Sequence, residues 1–257
     1  MVKHRFENRF IAFVDILGFS DLIERMSRED RLFKTVRDAL GSVDKQARIF
    51  KRYRSDVEGK LFKDGSSSVS SSDLQMTAFS DCYVLSEVEK AWHVVAAVQA
   101  LGSQFLAEGI LTRGAVVQGQ AYHKDRVLFG SGIIEAYELE SKVAVYPRIL
   151  VSGDVRQAVW DYHTQRWKGQ LLKRDVDGCW FVNLLVPSLS KWKALSNAPS
   201  GNDSHAHLTT VRKSLISAWK RVQGDTRRMS KVWWLIHRFN RLAEKERLEP
   251  IERRVHQ

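Results

Sequence analysis

An aspartate stands in the apolar run FVDIL at residues 13–17, and Gly18, Phe19 and Ser20 follow it directly. Burying an unpaired carboxylate costs several kcal/mol or forces it to take up a proton. Any fold that uses this segment as an inner strand must therefore put compensation beside Asp15. Residues 8–17, NRFIAFVDIL, read as such a strand. The run is far shorter than the ~20 apolar residues of a membrane span, so no transmembrane segment is expected.

The chain has 257 residues, 44% of them hydrophobic. That suffices for one large domain, or for a domain of roughly 150 to 200 residues with an appendage. Cys82 and Cys179 lie far apart without paired spacing, and the N-terminus lacks a signal-peptide pattern. Reduced, buried thiols in a cytoplasmic protein are expected. The formal charge of +11 is uneven: residues 188–257 hold fifteen Lys or Arg against six Asp or Glu, leaving about +2 for residues 1–187. A solvated helical face explains such a basic tail better than nucleic-acid contact does.

After the first strand, helices are predicted over 21–26 and from 28 to about 52, then a low-complexity loop, DGSSSVSSSD, within 57–72. LQMTAFSDCYVLSEV (74–88) has β-branched and aromatic residues on both sides of Phe79-Ser80-Asp81, which suits a hairpin turning at Ser80-Asp81. Helical spacing follows over 90–107, a strand over 110–123, a helix over 132–141, a strand over 147–152, a helix over 154–163, and strands near 167–173 and 179–185. This order resembles a split βαββαβ, ferredoxin-like α+β core with helices on one face of a mostly antiparallel sheet. Residues 188–206 read as a linker, and two basic helices are predicted at 208–223 and 226–247. The expected division is therefore a domain over 1–187 and a linker with a helical extension over 188–257.

In such a fold the first strand and the next hairpin are sheet neighbours, so Asp15 and Asp81 can lie side by side. Two close carboxylates cannot both stay ionised unless a cation bridges them or one takes a proton. Oxygen-only ligands suit a hard cation, Mg²⁺ or Mn²⁺, and a paired metal site suits phosphoryl transfer. Gly18, Phe19 and Ser20 open a helix whose free N–H groups would accept a polyphosphate. The plainer alternative makes Asp15 a turn cap and Asp81 an ordinary hairpin corner.

FVDILGFSDLI closely resembles the first metal-binding motif of the class III nucleotidyl cyclases, and MTAFSDCYVLS resembles their second. RGAVVQGQ (113–120) is similar to their central strand and FGSGIIEAYELES (129–141) to the helix after it, so the resemblance covers about residues 8–185. It implies that Asp15, Asp81 and the carbonyl of Ile16 ligate two metal ions. It also implies that a nucleoside triphosphate cyclises with loss of pyrophosphate, and that the site forms between two chains of a homodimer. The pattern departs in three places. Thr77 stands where a charged purine-reading residue is usual, and Ile134 and Glu138 stand near the family's transition-state Asn and Arg. Arg113, Lys173 and Arg174 are candidate replacements for the missing cation. Without the purine reader, the chain is most similar to the pyrimidine cyclases of the bacterial Pycsar antiphage system. That resemblance implies cyclic UMP, favoured, or cyclic CMP as product. The other reading is a degenerate cyclase-fold module that binds a nucleotide or partner without turnover. Tyr137, Glu138 and Glu140 are expected to orient and solvate a helix, Trp192, Trp219, Trp233 and Trp234 to pack the tail, and His205 and His207 to lie idle in a loop.

Overall fold

The computed structural model describes residues 6–41, 73–124, 126–162, 171–186 and 201–252. Strand β1 (Glu7–Leu17) carries its apolar residues on both faces and therefore takes a central place in the sheet. Helices α1 (Phe19–Met26) and α2 (Asp30–Gly41) follow, then the hairpin β2 (Gln75–Phe79) and β3 (Cys82–Glu87), helix α3 (Ala91–Ala107) and the long strand β4 (Leu111–Lys124). The chain continues through β5 (Val127–Phe129), α4 (Ser131–Val143), β6 (Ile149–Val151), α5 (Gly153–Tyr162), β7 (Leu172–Arg174) and β8 (Trp180–Val182). It ends in α6 (Gly201–Arg221) and α7 (Thr226–Ala243).

The sheet runs β2-β3-β1-β4-β6-β8-β7, with β5 paired to β4. Only the β4–β6 pair is parallel among the described strands, so the α+β fold with a mostly antiparallel sheet holds. The helices do not all share one face. Phe10, Ala12, Val14 and Ile16 of β1 pack with buried residues of α2, α3, α5, α6 and α7. Ile11 instead joins Val84, Val117 and Ala136 of α4 on the opposite face. A close glycine contact seats α4 there: a Cβ on Gly119 would come within 2.7 Å of the Gly132 Cα.

The structure differs from the sequence reading at several places, three of them with a clear physical reason. Helix α1 starts at Phe19, because Gly18 enters the left-handed region at φ 70° and turns the chain directly out of β1. Strand β5 was not anticipated, since no glycine or Asn-Gly marks its turn; Arg126 itself adopts φ 72°. Helix α6 begins seven residues before the expected 208, which puts His205 and His207 on a helix rather than in a loop. His207 is buried with Nε2 3.2 Å from the Ser103 hydroxyl, a tertiary contact that local periodicity cannot reveal. The helix expected beyond residue 41, the loop over 57–72, the start of the strand near 167, residues 188–200 and Trp192 lie outside the described residues.

The tail packs into the main core, where Leu208, Val211, Leu215, Trp219, Leu235 and Phe239 are buried. Trp219 contacts Trp233, and Trp234 stacks on Tyr146 with 5.5 Å between ring centroids. Buried Asp175, after β7, anchors α7 further by accepting hydrogen bonds from Trp234 Nε1 and Arg148 and pairing with Arg238. Cys82 and Cys179 are free thiols, half-buried rather than fully buried. No helix of the described residues is long and apolar enough to cross a membrane.

Candidate active site at the end of the first strand

Antiparallel pairing decides which side chains meet. Asp15 lies opposite Cys82 of β3 and Arg113 of β4, and the Ile16 N–H donates to the Asp81 carbonyl at 2.7 Å. The hairpin turn is thereby tied to the end of β1, with Ser80 in the left-handed region at φ 53°. Asp15 and Asp81 are neighbours, as the topology predicts, and the Asp81 charge opposes ionisation of Asp15. Burial, reinforced by Asp81, holds the Asp15 carboxyl above the ordinary carboxylate range, while Arg113 pulls it down.

Arg113 is the compensation that the strand demands. Its Nη2 lies 3.6 Å from Asp15 Oδ2, and its Nε donates to Glu140 of α4. Glu140 is buried, so the expectation that it merely solvates a helix is corrected: its side chain is 3% exposed and holds the arginine. Burial also raises the Glu140 carboxyl, against the lowering pull of Arg113. Lys231 of α7 completes the group, half-buried and near enough to Asp15 and Glu140 to lower both carboxyls. Tyr137 and Glu138 are exposed on α4, and Ile134 is 63% exposed.

Gly18, Phe19 and Ser20 form the start of α1 beside Asp15. No side chain caps this end, and the first-turn N–H groups have no intrahelical acceptor. Lys173 and Arg174 are elsewhere in the chain, on β7. Lys173 borders a second cavity of about 400 Å³ beneath α7, with Lys245 and Arg241, and Arg174 donates to the Gly178 carbonyl.

Thr77 lies on the same face of the sheet as Asp15, since Thr77 pairs with Val84, Val84 with Phe13, and Phe13 is two residues from Asp15. It ends a chain of buried polar groups. Arg9, 2% exposed, donates Nε–H to the Ser86 hydroxyl at 2.9 Å; that hydroxyl is 2.8 Å from His123 Nδ1, and His123 Nε2 is 3.0 Å from Thr77 Oγ1. Arginine can only donate. The buried Ser86 proton is then satisfied by pointing to His123 Nδ1, which puts the imidazole proton on Nε2, facing Thr77 as a donor. Thr77 Oγ1 accepts that bond.

His123 stays neutral for a physical reason. Burial first, then the Arg9 charge, pushes it down from 6.5 to about 4. Folding therefore opposes its protonation, and this stabilisation is present above pH 6.5 and lost as pH falls towards 4. Urea unfolding is expected to show about 3 kcal/mol of stability lost across that window. His123→Gln is expected to flatten that part of the profile, and an unchanged slope would refute the assignment.

Sequence reasoning missed Arg9, Ser86, His123, Glu140 and Lys231. Only Arg9 carries a usable signal, an ionisable group in the same apolar strand at an even spacing from Asp15 and hence on the same face.

Neither a protein-family model nor a curated protein matches the sequence. Among solved structures, the chain is similar to the catalytic core of a rhodopsin-guanylyl cyclase with converted specificity in complex with ATPαS, at 18% identity and a TM-score of 0.42. That match covers 69% of this chain and 96% of the other. A bacterial light-regulated adenylyl cyclase matches at 15% identity and a TM-score of 0.41, over 83% of this chain and 59% of its own. An adenylate/guanylate cyclase/hydrolase from Silicibacter pomeroyi matches at 16% and 0.40, over 68% and 94%.

Proposed function

We propose that this chain is a nucleotidyl cyclase of the class III type. It would act as a twofold dimer on a pyrimidine nucleoside triphosphate, UTP in preference to CTP, and release the 3′,5′-cyclic monophosphate and pyrophosphate as an antiphage signal. The observation that carries the reading is the meeting of Asp15 and Asp81 at the uncapped start of α1, on a face shared with Arg113 and Thr77.

Two neighbouring carboxylates, with the Asp81 charge raising the proton affinity of Asp15, are a donor set suited to a hard divalent cation, which commonly takes one or two carboxylates and completes its shell with phosphate oxygens. Asp15, Asp81 and the Ile16 carbonyl would hold Mg²⁺ or Mn²⁺. A bound ion of this kind supplies Lewis-acid stabilisation of charge on the phosphoryl oxygens. The protein's own groups bind and orient: the first turn of α1 receives phosphate, and Arg113, steadied by Glu140, faces the same space.

The uracil preference draws support from the Thr77 hydroxyl: with its oxygen accepting from His123, its O–H is the donor left to meet the base, and uracil has a carbonyl at the ring position where cytosine has an amino group. Dimerisation draws support from Phe79, Ile134 and Tyr137, large apolar side chains 76%, 63% and 54% exposed. Phe79 is at the tip of the hairpin and the other two are on α4, next to the acids. A binding module without turnover is the second reading, favoured by the ion pair through which Arg113 already engages Asp15.

Purified protein incubated with Mn²⁺ and each of the four ribonucleoside triphosphates is expected to form cyclic UMP fastest, with stoichiometric pyrophosphate. Absence of product from all four would leave only the binding module.

A further inference from the structure

A pocket of about 220 Å³ opens between the start of α1 and the two tail helices. Gly18 and Asp21 line one wall, and Arg25, Arg221, Arg228 and Lys231 the others. Asp21, the acid among these, is cancelled by Arg228 at 2.6 Å. Arg25 and Arg221 direct guanidinium nitrogens to the carbonyls of Glu108 and Gly109, each at 3.4 Å; Arg25 is also paired with Glu29 at 4.0 Å, whereas no carboxylate among the described residues contacts Arg221.

Lys231 differs from these arginines. Among the described residues it makes no hydrogen bond or ion pair, although it is half-buried. Burial, then the charges of Arg113 and Arg227, hold its ammonium below the usual lysine range, with Asp15 and Glu140 opposing. Asp15 and Glu140 offset part of the cost of drawing this cation out of water, but neither takes up its N–H donors, which leaves them for an anion in the pocket. Its position is not loose. Lys231, Trp234 and Arg238 share one face of α7 at spacings of three and seven, and both Trp234 and Arg238 are fixed to Asp175. Arg228, one turn earlier, ties the same helix to α1.

We propose that α7 of the C-terminal extension closes the phosphate end of the site within the same chain, with Lys231 as a direct ligand of a polyphosphate that also reaches the first turn of α1. The inference rests on the nucleotide reading only for the identity of that ligand as the triphosphate of the substrate. The anion pocket stands on its own geometry. It gives the basic tail a role at the site and supplies a cation that Ile134 and Glu138 cannot.

The test is calorimetric titration of tripolyphosphate, and separately of inorganic phosphate, into the full chain without metal. Wild type is expected to bind tripolyphosphate more tightly than phosphate. Lys231→Met should weaken tripolyphosphate at least about tenfold, the scale of one charge-assisted hydrogen bond. Lys231→Arg should hold it within a few-fold, and Lys213→Met, an exposed charge on α6, should change nothing. Equal affinity in wild type and Lys231→Met, no tripolyphosphate binding by wild type, or loss in the Arg variant as severe as in Met would each overturn the proposal. With the nucleotide that wild type turns over, Lys231→Met is expected to raise KM about tenfold and to weaken inhibition by pyrophosphate. A wild type that binds tripolyphosphate through Lys231 yet cyclises no nucleotide would overturn the cyclase reading and keep the pocket.

Discussion

Asp15→Asn is expected to lower turnover at least about a thousandfold, because the several kcal/mol of charge stabilisation that a divalent ion supplies depends on its carboxylate ligands. The same change should raise the thermal midpoint measured in EDTA. Burial lifts the Asp15 carboxyl above its ordinary range, so folding favours the protonated form. The stability linked to that proton is present at low pH and is lost as pH rises through the folded-state value. At pH 7 the ionised side chain is thus a liability that asparagine removes, and Arg113 keeps Glu140 as its partner. The gain should shrink below the ordinary carboxylate range, where wild type is protonated too. Parallel melts at pH 7 and at pH 3.5 with a single-turnover assay check both halves. A variant that loses activity and stability together would mean that Asp15 serves the fold rather than a ligand.

That opposition between function and stability is what made Asp15 legible. An acid inside an apolar strand conflicts with local rules, and such conflicts gather at sites. The strand order was readable for a related reason: β1, the hairpin and β4 have strong period-two or continuous apolar patterns, and once they pair, Asp15 and Asp81 meet without further information. The sequence could not say what compensates the acid. Arg113 is opposite Asp15 only because of an eleven-residue register, and Glu140 reaches Arg113 only because two glycines let α4 settle on β4. Neither relation is a pattern within any short window. The same limit hid the relay from Arg9 to Thr77, whose members come from four strands. The tail shows the limit most clearly. Its charge was visible as composition, yet composition cannot tell a solvated face from one lysine held against the site by Trp234 and Arg238.

Arg113→Ala should destabilise the fold by about 3 to 5 kcal/mol, the usual cost of removing one partner from a buried ion pair. The burden falls on Glu140, whose side chain is 3% exposed and whose carboxyl is already raised by burial. Without the arginine it must take up a proton or remain as a buried, uncompensated charge. Stability of the single variant should accordingly improve as pH falls through the range in which Glu140 protonates, opposite in sign to the His123 effect. Glu140→Gln in the same chain should recover most of the loss, because the amide needs no counter-charge. Urea unfolding of the two single variants and the double variant forms a cycle whose coupling is expected to be at least 1 to 2 kcal/mol. Additive losses would mean that the contact contributes nothing. Activity then separates the two duties of Arg113. A double variant that is stable but inactive makes the guanidinium a group that meets substrate, whereas recovery of turnover with stability would confine it to holding Asp15 and Glu140 in place.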